Sequence, residues 1–244
     1  MLTELSNYYQ KQGILSLDFG CQHLQACRNG NNRFAEAKAA FVGSEYEKGT
    51  LPRLLFASLD PGRSDSDPNQ RTVNAVRLQE ERDCVVEALP KARHWYRTHE
   101  LACILLKKIK PHLQMQDSHL YFAHVNSVKC CENNEDHKSG SRVLFKNCQK
   151  YIGGEISILK PDILVTQGQM AREAIEESFN TTGPSKDNDA CSHAWPVIGG
   201  KKALWFHTYH PRNFGKFNRQ RRDCFDDWAG LVYETFRGWR CEKL

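Results

Sequence analysis

No apolar run in this chain is long enough to span a bilayer, so a membrane-crossing helix and a membrane partner are not expected. Residues 1–13 show no basic stretch leading into an apolar core, so no secretory signal is expected and the expected compartment is the cytoplasm. There is no internal repeat and no low-complexity segment, which sets aside repeat architectures. No glycine-rich phosphate loop follows the first apolar run, which weighs against a Rossmann-like enzyme acting on nucleotides. The twin C-x-x-C spacing of a zinc ribbon is missing, so any metal site must gather distant ligands. A large excess of either sign of charge is also missing. A net charge of +5 fits a nucleic-acid partner without demanding one.

What is present fits one sizeable core. The 244 residues are 40% hydrophobic, enough for a single domain over 1–244, with an N-terminal arm over 1–48 and a monomer as the expected state. Ten cysteines are many for a reducing compartment, where structural disulfides are rare. They point to metal or cluster ligation, or to buried thiols.

The stretch Leu54-Leu55-Phe56-Ala57-Ser58-Leu59 is a short apolar run that breaks at Asp60-Pro61-Gly62, a buried strand emptying into a loop. By itself it fits an ordinary turn after a core strand, or a carboxylate placed at the mouth of a cleft. Phe34 to Val42 reads as a short helix or cover piece. Helices are expected over Thr72 to Leu89 and Thr98 to Ile109, each stopped by proline, and over Val143 to Leu159 and Gln169 to Phe179. Further strands are expected at Leu120 to Val125, Asp162 to Thr166 and Ala203 to Thr208, and a final amphipathic helix over Arg219 to Arg237. Strands alternating with helices imply parallel strands with helices on both faces: a three-layer α/β/α sandwich around a four-stranded parallel sheet.

Three of those strands end in Asp60, Asn126 and His210. In a parallel sheet these ends share one edge, so a carboxylate, a carboxamide and an imidazole converge there. Singly, each has a plainer reading: a turn, a cap, a residue before proline.

Four segments in order, LLFASLDPG, YFAHVNSVKC, CQKYIGGEISILKPDILVTQGQMA and HTYHPR, together resemble the motifs of the uracil-DNA glycosylase superfamily, particularly its iron–sulfur branch. The resemblance implies an enzyme that flips a nucleotide out of DNA and hydrolyses its base–sugar bond. It implies Asp60 as the carboxylate beside the sugar, His210 as hydrogen-bond donor to the departing base, and Asn126 as reader of a pyrimidine edge. The founding uracil enzymes carry aspartate at the Asp60 position and the iron–sulfur branch usually alanine, so the chain mixes features of two branches. His124 shares a face with Asn126 only if its strand is regular; otherwise it packs. The family's stacking phenylalanine has no counterpart between Gly62 and Trp95, leaving Trp95 or Tyr96 for that place, or as core aromatics.

Gly62 stands where the founding uracil enzymes have a tyrosine that excludes substituents at carbon 5. Uracil and a pyrimidine with a larger 5-substituent both remain open. Hydroxymethylated or glucosylated cytosine of viral DNA is one such target, which would make the protein an antiviral enzyme. Cys21, Cys27, Cys130 and Cys148 map to ligands of a 4Fe-4S cluster, with Cys131 able to replace Cys21, and zinc or no metal as alternatives. Arg212, Phe214, Lys216, Phe217 and Arg219 interleave basic and aromatic residues, as expected for phosphate contacts plus an apolar wedge into DNA, or for a solvated helix start. The second functional class is a glycosylase fold that has lost its chemistry and only senses modified DNA.

Overall fold

A computed structural model describes residues 1–15, 19–61, 67–83, 94–133, 141–185 and 191–238. In chain order the elements are α1 (Leu2–Lys11), α2 (Leu24–Arg28), β1 (Phe41–Val42), α3 (Ser44–Lys48), β2 (Leu54–Ser58), α4 (Val73–Asp83), α5 (His94–Lys107), β3 (Phe122–Asn126), α6 (Arg142–Leu159), β4 (Ile163–Gln167), α7 (Gln169–Phe179), β5 (His193–Ala194), β6 (Val197–Ile198), β7 (Lys201–Lys202), β8 (Leu204–Thr208) and α8 (Phe214–Phe236). Two 3₁₀ turns, Pro68–Arg71 and Met115–Tyr121, precede α4 and β3.

The fold is α/β, built on a mixed sheet in the order β1-β3-β2-β4-β8-β5. Its four central strands are mutually parallel, and each buries nearly all of its five residues, which is why each is predominantly apolar. In place of the expected four-stranded parallel sheet, the described residues form a mixed sheet of six strands, with short antiparallel strands at both edges, β1 on β3 and β5 on β8. Two residues each are too few to leave a periodic signal.

The expected helix or cover piece over Phe34 to Val42 is extended backbone. Ala35 exchanges both backbone hydrogen bonds with Cys131 at 2.8 Å, and Lys38 N–H donates to Lys129 O at 3.0 Å. Ala35, Ala37 and Ala39 are buried while Glu36 and Lys38 are half-buried, the period of a strand. The alanines favour a helix locally, but the tertiary ladder to residues 129–131 overrides that preference.

Helix α8 begins at Phe214, five residues before the expected start at Arg219. Its buried stripe, Phe217, Gln220, Cys224, Phe225, Trp228 and Val232, keeps helical spacing beneath an outer face that is basic at its start and acidic from Asp223 onward. Trp228 stacks on Phe206 of β8 at 4.8 Å between ring centroids. Residues from α1 through α8 contribute to one hydrophobic cluster. Helix α1 is tied in by a buried polar triad: Tyr9 Oη donates to Glu155, which also receives Lys129 Nζ. Cys191 and Cys224 form a disulfide, with Cα atoms 4.9 Å apart, joining the approach to β5 to α8; the expectation of ligands or free thiols does not hold for this pair. No helix among the described residues is long and apolar enough to cross a membrane.

Candidate active site

In β2 and β3, Ser58 stands beside Asn126, and in β4 and β8, Gln167 stands beside Thr208. The carboxyl ends of the parallel strands thus lie along one edge, and the loops leaving them carry Asp60 and His210. The exits are stitched together. Ser127 N–H and Oγ both donate to Ser58 O, at 2.9 and 2.7 Å, and Val128 N–H donates to Leu59 O at 2.9 Å. Gly168, which caps α7 after β4, has φ +97°, and a Cβ there would stand 3.2 Å from both His210 Cβ and Leu59 Cδ2. Glycine is needed for both reasons, and the close approach brings the β2, β4 and β8 exits together.

His210 is fixed by its own loop. Arg212 N–H donates to His210 Nδ1 at 3.2 Å, and Asn213 N–H donates to His210 O at 2.8 Å. With Nδ1 accepting, the neutral ring carries its proton on Nε2. Burial, then the neighbouring His94 and the Arg212 charge, push His210 down to about 3, so it is neutral at physiological pH. Gln220 of α8 clamps the backbone leading into this loop: its Nε2 donates to His207 O at 2.8 Å and its Oε1 accepts from Tyr209 N–H at 3.0 Å.

Beneath the edge lies a polar network that the sequence reading missed. Ser58 Oγ lies 2.8 Å from His124 Nε2, 3.0 Å from His94 Nε2 and 2.7 Å from Gln167 Oε1. His94 Nε2 is 2.8 Å from Gln167 Oε1, and Thr98 Oγ1 is 3.2 Å from Gln167 Nε2. Strand β3 is regular, so His124 faces the same side as Asn126 and serves as a polar partner as well as packing. That pairing was the available sequence signal: Ser58 stands two residues before Asp60, and His124 two before Asn126.

Several expected site residues stand elsewhere. Trp95 packs edge-on against Phe41, Phe122, His99 and His124, a core role rather than a free stacking face. Tyr96 is half-buried with the Arg97 guanidinium 5.9 Å from its ring. Phe217 is fully buried against Phe225, which removes it as a wedge because it lies on the inner stripe of α8. Phe214 is 43% exposed at the start of that helix, beside exposed Arg212, Lys216 and Arg219. Lys216 Nζ lies 5.3 Å from the centroid of the Tyr209 ring. Gly62 lies outside the described residues.

Cys21, Cys27, Cys130 and Cys148 line one pocket with Lys129, Asn147 and Tyr151. Lys129 N–H points at Cys148 Sγ at 3.4 Å and Asn147 Nδ2 at Cys27 Sγ at 3.2 Å. Burial pushes the Cys148 thiol up to about 11 and Cys130 higher still. Among the described residues, no three His, Cys, Asp or Glu side chains are grouped as a ready metal-binding set. Cys131 turns away to Asn133, its Sγ accepting from Asn133 N–H at 3.3 Å. No protein-family model matches the chain, and no curated protein sequence does.

Proposed function

We propose that the protein is a DNA glycosylase that hydrolyses the base–sugar bond of a flipped pyrimidine, either uracil or a 5-modified base, and leaves an abasic site. The observation that carries this reading is His210. It is a half-buried, neutral imidazole, oriented by Arg212 N–H so that its proton sits on Nε2, on the strand edge that also bears Asp60 and Asn126. Breaking the C1′–N bond leaves positive charge on the sugar and sends the electron pair to the base. Asp60 stabilises the first charge and orients a water that forms the new C1′–O bond, releasing its proton. His210 Nε2–H donates to the oxygen on which the second charge gathers, and the base leaves to take up a proton. Asn126 offers a donor and an acceptor to the pyrimidine edge. Among the basic and aromatic residues after His210, exposed Phe214 takes the wedge role, with Arg212, Lys216 and Arg219 on phosphates.

Architecture supports the reading: α5 packs with α8, and α1 and α7 with α6, two sets that read as outer layers of a three-layer sandwich. The pocket lined by Cys21, Cys27, Cys130 and Cys148 offers the four sulfur donors that a 4Fe-4S cluster takes, which would have to draw closer together to hold one. A cluster there would be structural, pinning α2 to α6 and to the exit of β3. The test is excision. Asp60→Asn is expected to keep DNA binding and slow base release by ~10²–10⁴. Equal excision rates for the two proteins would remove Asp60 from the chemistry.

A further inference from the structure

His94, the first residue of α5, is used twice. Its edge is tied inward, with Nε2 3.0 Å from Ser58 Oγ and 2.8 Å from Gln167 Oε1. Its face lies on His210, the rings 8° from parallel with centroids 5.0 Å apart. Proton positions in the tie follow from one acceptor. Gln167 Oε1 can only accept, so Ser58 Oγ and His94 Nε2 both donate to it. The lone pairs of Ser58 Oγ then receive Nε2–H of His124 and share that of His94. Every polar contact in this cluster is satisfied with both rings in one tautomer, which is the condition under which a buried network holds a single geometry.

We propose that His94 is a positioning residue for base excision: Ser58 and Gln167 hold it by its Nε2 edge, and its face fixes the plane in which His210 presents Nε2–H to the departing base. The role rests on the glycosylase reading of the site. It explains why a hydrogen-bonding ring, rather than an aliphatic side chain of similar volume, opens α5. Two neutral imidazoles can stack where two cations would repel, and burial, partly offset by the Gln167 bond, brings His94 down to about 4. The titratable and charged groups that bear on the pair are His124 from β3 and Arg212 from the loop after β8, with Lys38 and Lys129 bearing on His124.

The test combines single-turnover excision with ¹⁵N NMR of the histidine rings in the free protein. His94→Ala is expected to lower the rate of the chemical step by up to ~10²-fold, the scale of a small misplacement of a catalytic group, with the KM for DNA changed less than about threefold. His210 should lose its single Nε2–H tautomer signature and titrate closer to an ordinary histidine. Ser58→Ala, a near-isosteric change in case His94→Ala fails to fold, should shift the same signals and the same rate constant in the same direction by a smaller factor. Wild-type excision with an unchanged His210 spectrum and rate in these variants would overturn the positioning role and leave the glycosylase reading standing. A wild-type protein that excises no base would overturn that reading, while the His210 spectra would still decide whether His94 orients the ring.

Discussion

A neutral imidazole needs shelter from water, and among the described residues four histidines have it, two buried and two half-buried. Burial pushes His99 and His210 down to about 3, His94 to about 4 and His124 well below its ordinary value. In the unfolded chain the same rings titrate near 6.5. A depressed folded pKa contributes stability that is fully present above the unfolded value and lost as pH falls toward the folded one. Stability should therefore decline between about pH 6.5 and pH 5, above the range where carboxylates titrate. His99 and His124, the most buried, contribute at most ~1.4 kcal/mol per pH unit each. Urea unfolding at steps across that window measures the slope. A flat profile would mean that these rings take up protons in the folded state. The same dryness serves chemistry in the glycosylase reading, because an uncharged His210 can donate its proton to a charge that develops only as the base departs.

Among the elements, α8 does more than cover the sheet. Through Gln220 it holds both the carbonyl of His207 and the N–H of Tyr209, one residue before His210. Gln220→Ala leaves two part-buried backbone groups without that partner. It should cost ~1–3 kcal/mol in denaturant unfolding and, in the glycosylase reading, slow excision by loosening His210; an unchanged midpoint would show that the clamp is replaceable. This contact was not legible in the sequence, because the basic residues at Arg219, Arg221 and Arg222 mask the buried stripe of which Gln220 is the polar member. The central strands were legible, since five-residue apolar runs ending in Asp-Pro, Asn-Ser and His-Pro mark both the core and its polar edge. The network under that edge was not. Ser58, His94, His124 and Gln167 come from three strands and a helix, and nothing local ties residues separated by 36 to 109 positions.

Over the whole molecule, the N-terminal arm and the exit of β3 meet at the cysteine pocket, close to where Tyr9, Glu155 and Lys129 pin α1. If four thiolates hold a cluster there, protein purified without oxygen should carry ~4 iron and ~4 sulfide per chain, and Cys148→Ser should lose both. Colourless, iron-free wild-type protein would contradict the cluster and leave zinc or free thiols at the four positions. The edge of the sheet is the more consequential claim. Purified protein should be presented with duplex and single-stranded DNAs containing uracil, thymine mismatches or 5-modified cytosines, and alkali-labile breaks scored for the wild type and Asp60→Asn. The glycosylase account predicts breaks at one class of base, slowed by ~10²–10⁴ in the variant with DNA binding retained. Tight binding to modified DNA with no breaks on any substrate would contradict it and mark the protein as a sensor.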